Sequence, residues 1–258
     1  MAGARTADRV GCTSNFLLWH WVRFITFDQS LFVGCVAAAL GFLQLGCGGS
    51  RPVPQQTESQ AAPEAHAPPK EPSGLDTRPV IVAFGDSLTA GFGADPGKSF
   101  PDFLQKDLDQ AGLHWRVVNA GVSGNTTSDG VERLSEVLAY KPRVTIVEFG
   151  GNDGLRGLPM ETTRANLEQI IRALRDAGSA VVLAGMTLPP NYGPDYIRSF
   201  ELVYKDLADK YKVARIPFLL DGVAIHPNLM QRDGIHPTAE GNEIVARLVM
   251  RYLKPLLH

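Results

Sequence analysis

Val80-Ile81-Val82-Ala83-Phe84-Gly85-Asp86-Ser87-Leu88-Thr89 runs from five apolar residues straight into a glycine, an aspartate and a serine. An apolar run without polar alternation, cut off by turn residues, reads as a strand buried on both faces. Four similar runs follow at Trp115–Asn119, Val144–Phe149, Ala180–Ala184 and Val213–Pro217. Segments with helical spacing alternate with them: Phe100–Ala111, Gly130–Tyr140, Thr163–Ala177, Tyr196–Tyr211 and Ala239–Leu253. This alternation predicts an α/β domain of parallel strands with crossover helices on both faces of one sheet. Ligands of such sheets bind beyond the carboxyl ends of the strands. Ser87 follows the first strand directly, Gly121–Thr126 the second and Gly150–Gly154 the third. Three separate loops therefore converge on one edge, each with Gly or Asn suited to presenting hydrogen-bond donors.

The chemistry of these loops depends on what lies late in the chain. A serine hydroxyl is a poor nucleophile until an imidazole takes its proton and a carboxylate orients that imidazole. Two Asp/His pairs are available, Asp221 with His226 and Asp233 with His236. The second is favoured, because the helical pattern from Ala239 follows at once and would fix it rigidly; His226 reads as a surface-loop residue. Alone, Gly85-Asp86-Ser87 is weak, being also an ordinary strand-ending turn, and it is not the Gly-x-Ser-x-Gly elbow of α/β-hydrolases. Asp86 is expected to hold the turn. In Asn119-Ala120-Gly121-Val122-Ser123-Gly124-Asn125-Thr126-Thr127, a glycine can bring its N–H close to a substrate carbonyl. In Phe149-Gly150-Gly151-Asn152-Asp153, the Asn amide would add a second oxyanion donor, a type of group whose loss costs about 10²–10³ in turnover. Either block is also a plausible structural turn when seen alone. The two histidines and two aspartates lack metal-ligand spacing, so no metal is expected.

Composition bounds the partners and the layout. The 258 residues carry a net charge of −2, which leaves no basic footprint for nucleic acid. The uncharged run Leu31–Leu45 is about 15 residues long, closer to a signal-peptide core than to a membrane span of about 20. It ends in Leu45-Gly46-Cys47-Gly48, which resembles a bacterial lipobox with Cys47 as the lipid-modified residue, although Gln44 stands where a Leu is expected. An uncleaved anchor is the alternative. Asp8 and Asp28 in the long leader suggest a start downstream of Met1. Residues 48–78 are rich in Pro, Gln, Ala, Ser and Glu and read as a disordered tether. The expected division is a targeting segment over 1–47, the tether over 48–78 and a catalytic domain over 79–258. Cys12, Cys35 and Cys47 all precede the domain, which therefore has no disulfide, Cys nucleophile or Cys-ligated metal.

Gly85-Asp86-Ser87-Leu88, Gly124, Gly150-x-Asn152-Asp153 and Asp233-x-x-His236, in this order, resemble the four blocks of the SGNH (GDSL) hydrolase family. Glu148–Gly157, Leu188–Gly193 and Met230–Pro237 are similar to its bacterial thioesterase I/lysophospholipase/arylesterase branch. The resemblance implies a three-layer α/β/α flavodoxin-like fold and a triad of Ser87, His236 and Asp233. It also implies an oxyanion hole from the Ser87 and Gly124 N–H groups and the Asn152 side chain. Leu188 and Pro189 would belong to a mobile substrate loop lining an acyl channel. No cofactor is expected, and the substrate would be a small acyl ester or lysophospholipid, with thioesters within reach of the same chemistry. His236 must be neutral to act as base, so activity should rise through roughly pH 6–7. The expected state is a monomer facing the periplasm, touching the membrane only through a lipid at Cys47 or an anchor. Two alternatives are an O-acetyl esterase acting on cell-envelope carbohydrate and a non-catalytic envelope lipoprotein.

Overall fold

The computed structural model describes residues 76–257. The expected targeting segment, Cys47 and the tether up to residue 75 lie outside the described residues. Five strands form one parallel sheet: β1 Val80–Gly85, β2 Arg116–Gly121, β3 Val144–Glu148, β4 Ala180–Ala184 and β5 Ala214–Ile216, in spatial order β2-β1-β3-β4-β5. Every residue of β1 and of β3 is buried. Successive strand side chains point to opposite faces, so unbroken burial requires cover on both sides.

That cover comes from α2 Phe100–Gln110 packed on α8 Ala239–Leu253, and from α6 Met160–Asp176 packed on α3 Thr127–Glu132 and α7 Pro194–Tyr211. The other α-helices among the described residues are short: α1 Ser87–Ala90, α4 Leu134–Ala139 and α5 Gly151–Leu155. α2 starts at a capping box, in which the Ser99 hydroxyl caps the Asp102 N–H and the Asp102 carboxylate accepts from the Ser99 N–H. The five expected strands and the long helices are all present.

Two details differ from the expected pattern. The segment expected as one helix over Gly130–Tyr140 is two helices, α3 and α4, meeting at Arg133. Its start moves back because Thr126 and Asp129 form a second capping box, which fixes Thr127 as the first helical residue. The turns after β1 and β3 are themselves short helices, α1 and α5. Ser87 and Gly151 are their first residues, so both loops leave the sheet edge in a fixed direction.

Candidate active site

Strand ends determine where Ser87 sits. β1 terminates at Gly85, whose Cα faces the Glu148 carboxyl and Thr89 so closely that a Cβ would lie 2.4 Å from Glu148 Oε2 and 2.2 Å from Thr89 Oγ1. Only glycine fits there. Asp86 then caps α1: its Oδ1 accepts from the Leu88 N–H at 3.1 Å, and Ser87 opens the helix. Asp86 is 2% exposed, consistent with its expected part in holding the turn.

The Ser87 hydroxyl lies 2.8 Å from His236 Nε2. On the other side of the ring, Nδ1 lies 2.7 Å from Asp233 Oδ2. The Nδ1 position calls for a donor to the carboxylate, which leaves Nε2 as the acceptor for the serine proton in the neutral ring. Asp233 Oδ1 accepts from the Ile235 and His236 backbone N–H groups at 2.9 and 3.1 Å, so the aspartate organises its own loop. Burial raises the Asp233 pKa, but these hydrogen bonds and the His236 side chain outweigh it and bring the carboxyl below its ordinary value. The pair is only partly sheltered, with side-chain exposure of 14% for His236 and 38% for Asp233. His226 is exposed on a separate turn, and Asp221 is likewise exposed.

The second and third loops reach the same edge. Gly124 has φ +82°, the left-handed region that favours glycine, and the Arg156 guanidinium donates to its carbonyl at 3.0 Å. The carbonyl is thereby engaged, and the Gly124 and Ser87 N–H groups find no partner among the described residues. Asp153, 1% exposed, ties the two loops together. It accepts from the Thr127 N–H at 2.9 Å and the Thr127 hydroxyl at 2.5 Å, and from the Thr163 hydroxyl at 3.2 Å. Arg133 braces the same loop by donating to Asn125 Oδ1 and the Ala120 carbonyl.

Asn152 is more constrained than its motif suggests. Its amide nitrogen donates to Asp86 Oδ2 at 3.1 Å and to the Asn125 carbonyl at 2.9 Å, while its oxygen faces Arg156 at 3.5 Å. Both amide hydrogens are thus directed at protein acceptors, and donation to an oxyanion requires sharing or exchanging one of them.

Leu188 and Pro189 separate. Leu188 is buried and packs against Gly154, where a Cβ would meet its methyls at 2.7 Å, whereas Pro189 is exposed. The Tyr192 hydroxyl fastens the segment to the Leu155 carbonyl at 2.8 Å.

Three residues of the site escaped the sequence reading. Glu148 lies under Asp86 and Thr89 with its side chain fully buried; a carboxyl at the end of an apolar strand was the available signal. Gln231 donates to the carbonyls of Phe92 and Pro237 at 2.7 and 2.9 Å, clasping the histidine loop to the segment after α1. The Phe92 ring lies 4.7 Å from the His236 ring. Neither of these contacts has a local sequence signature. Among the described residues no group of three or more His, Cys, Asp or Glu side chains is arranged to hold a metal ion.

Known proteins share this arrangement of strands and loops. The family model for the GDSL-like lipase/acylhydrolase family matches residues 83–244. Esterase TesA of Pseudomonas aeruginosa is 42% identical over 179 residues, 69% of this chain and 89% of that protein. Thioesterase 1/protease 1/lysophospholipase L1 of Escherichia coli is 36% identical over 180 residues, 69% of this chain and 85% of that protein. The crystal structure of TesA superposes with a TM-score of 0.67 at 42% identity, covering 69% of this chain and 99% of that one. The matched span takes in the loops of Ser87, Gly124, Asn152 and His236 alike, and the chain belongs to the GDSL-like lipase/acylhydrolase (SGNH) family as a carboxylic ester hydrolase.

Proposed function

We propose that Ser87, His236 and Asp233 are the nucleophile, general base and orienting carboxylate of an acyl-ester hydrolase that works through an acyl-enzyme. The observation that carries this reading is the unbroken relay from Asp233 Oδ2 through the imidazole to Ser87 Oγ, at 2.7 and 2.8 Å. Ser87 Oγ attacks the acyl carbonyl as His236 Nε2 takes its proton. The carbonyl oxygen becomes an oxyanion, held by the Ser87 and Gly124 N–H groups and the Asn152 amide. When it collapses, the C–O bond to the leaving alcohol breaks and His236 returns the proton to that alcohol. Water then attacks the acyl-serine with the same base, releasing the acid and restoring Ser87. A thiolate leaving group fits the same steps, which brings thioesters within the proposal.

The substrate class follows from the apolar residues around the Ser–His pair. Phe92, against His236, is 51% exposed, Ile235, next to it in sequence, 43%, and Val122, on the second loop, 40%. Exposed apolar side chains on three loops beside a reactive serine favour an aryl or medium acyl group over a small hydrophilic ester. Arylesters and lysophospholipids are the proposed substrates, with Leu188 and Pro189 proposed to border the acyl chain. The lipobox-like Leu45-Gly46-Cys47 supports a periplasm-facing enzyme tethered to the envelope.

Hydrolysis rates for p-nitrophenyl esters from acetate to palmitate test this reading, with the Ser87→Ala variant alongside. The expected profile peaks at medium chains, and Ser87→Ala lowers kcat by about 10⁶-fold, the scale of removing a triad nucleophile. Activity confined to acetate would move the assignment to an O-acetyl esterase. Rates that survive in Ser87→Ala would remove the triad proposal.

A further inference from the structure

We propose that Glu148 is a positioning residue: carrying a proton on Oε1, it donates to Asp86, and the single carboxylate charge left on Asp86 holds the Asn152 amide at the oxyanion site. This inference rests on the oxyanion role given to Asn152 above. Glu148 closes β3 with its side chain fully buried, directly beneath the Asp86–Ser87 turn. Its Oε2 accepts from the Asp86 N–H at 3.1 Å and the Thr89 hydroxyl at 2.8 Å. Its Oε1 is buried and receives no hydrogen bond from any described residue.

The Asp86 N–H bond to Oε2 sets the two buried carboxyls next to each other, and in the proposed arrangement a hydrogen bond joins the unpartnered Oε1 to Asp86. Two carboxyl groups make such a bond only when one of them carries a proton. The donors around them identify which. Asp86 receives one donor on each oxygen, Leu88 N–H on Oδ1 and Asn152 Nδ2 on Oδ2, so both of its oxygens are stabilised as a carboxylate. In Glu148 the oxygen without a donor is Oε1, and a proton there satisfies it by making it the donor.

The surroundings point the same way. Burial and then the charge of Asp86 push the Glu148 carboxyl well above its ordinary value, while burial raises Asp86 only to about 6. Asp153 and the Tyr204 phenol also face this region, the phenol donating to the Phe149 carbonyl, and His236 favours the charged form of Asp86 from the Ser87 side. At neutral pH the pair therefore holds one proton and one charge. Loss of the Glu148 proton would set two charges against each other and leave Oε1 without a donor. Asp86 would then swing off Asn152, with a cost in turnover and not in substrate binding.

The test is kcat and KM for a p-nitrophenyl ester across neutral and alkaline pH, corrected for spontaneous hydrolysis, in the full chain. Wild type, Glu148→Gln, Glu148→Ala and Ser87→Ala are compared, with a thermal melt for each. A glutamine keeps a carbonyl for Asp86 N–H and Thr89 and replaces the acid proton with a permanent N–H donor. Glu148→Gln is therefore expected to keep kcat within about threefold of wild type at neutral pH and to abolish the alkaline decline expected of wild type. Glu148→Ala is expected to lose about 10²-fold in kcat at unchanged KM, the scale of a misaimed oxyanion donor. An identical alkaline decline in Glu148→Gln, or wild-type kcat in Glu148→Ala, overturns the inference. Should Glu148→Ala fail to fold, the glutamine profile decides alone. Rates that persist in Ser87→Ala sink the triad reading instead, so the two failures are told apart.

Discussion

The two halves of the site are built on different principles. Ser87, Gly124 and Asn152 stand on strand ends of a buried sheet, fastened by Asp86, Glu148 and Asp153, all of them 2% exposed or less. Asp233 and His236 stand on an irregular loop whose order comes from a few contacts, most of them local. These are the Asp233 turn, a single antiparallel bridge between Met230 and Pro237, and the Gln231 clasp. On the proposed mechanism the nucleophile and oxyanion donors have to meet a reacting carbon within a fraction of an ångström, and the core provides that rigidity. The base only has to reach one hydroxyl, and a local loop suffices. Substitutions on the sheet side should therefore move activity and stability together, while substitutions on the loop side should move activity alone.

Asp233→Asn gives the sharpest contrast. It keeps the shape of the loop but removes the charge that fixes the imidazole tautomer, and kcat should fall by about 10⁴-fold. The melting temperature should change little, since the residue is 38% exposed and its partners stay solvated. A large fall in melting temperature would break the division between the halves. Asn152→Ala is the sheet-side counterpart. It should lower kcat by about 10²–10³-fold, and by leaving buried Asp86 Oδ2 without its donor it should also cost about 1–3 kcal/mol of stability. Equal stability in the two variants would mean that Asn152 is not part of the buried framework.

Acid affects the halves with opposite signs. The Asp233 carboxyl lies below its unfolded value, so its contribution is present above that value and is lost as pH falls through the folded pKa. Asp86 is raised to about 6, so between about pH 4 and 6 the folded state binds the extra proton and stability falls as pH rises. The free-energy difference between wild type and an Asp86→Asn/Glu148→Gln double variant should therefore shift in favour of wild type on going from pH 7 to pH 5. Glu148, protonated at neutral pH, adds to the shift in the same direction. Parallel melting curves at the two pH values would show that the buried pair is not titrating there.

What the sequence made legible follows the same line. β1 and β4 are continuous apolar runs and β3 is largely apolar, each ended by Gly or a turn, a local signal, and the loops after β1, β2 and β3 bring Ser87, Gly124 and Asn152 to one edge by topology alone. The Asp233–His236 pairing was legible as well, because the two residues are three apart and a helix follows immediately. The start of α3 was signalled by Thr126-x-x-Asp129 but lost to the apolar spacing that begins near Gly130. Apart from Ser87 with His236, which the family resemblance paired across 149 positions, contacts spanning long stretches of chain were not legible. Glu148 meets Asp86 62 positions away, and Gln231 reaches Phe92 across 139. No periodicity links such residues; only the folded sheet and its loops bring them together. The two hydrogens of Asn152 were hidden for the same reason, since both of their acceptors come from other loops.

Gln231 provides the smallest and most discriminating test of the loop half. Its side chain makes the contact between the histidine loop and the Phe92 segment, and its backbone N–H donates to the His236 carbonyl at 2.7 Å. Gln231→Ala removes the two side-chain bonds and keeps the backbone one. The fold should change little, because the Phe92 carbonyl lies at the surface where water can replace the lost donor, and the loss at the buried Pro237 is a single part-buried bond. The imidazole, however, loses part of the order that holds Nε2 on Ser87. A loss of about 1.4 kcal/mol of that order corresponds to about tenfold in kcat. Because Ser87 and the proposed oxyanion donors are untouched, a substrate analogue that does not need the base should bind unchanged. If Gln231→Ala instead lowered the melting temperature as much as Asn152→Ala, the histidine loop would prove to be anchored in the core, and the contrast between a sheet-held Ser87 and a loop-held His236 would fall.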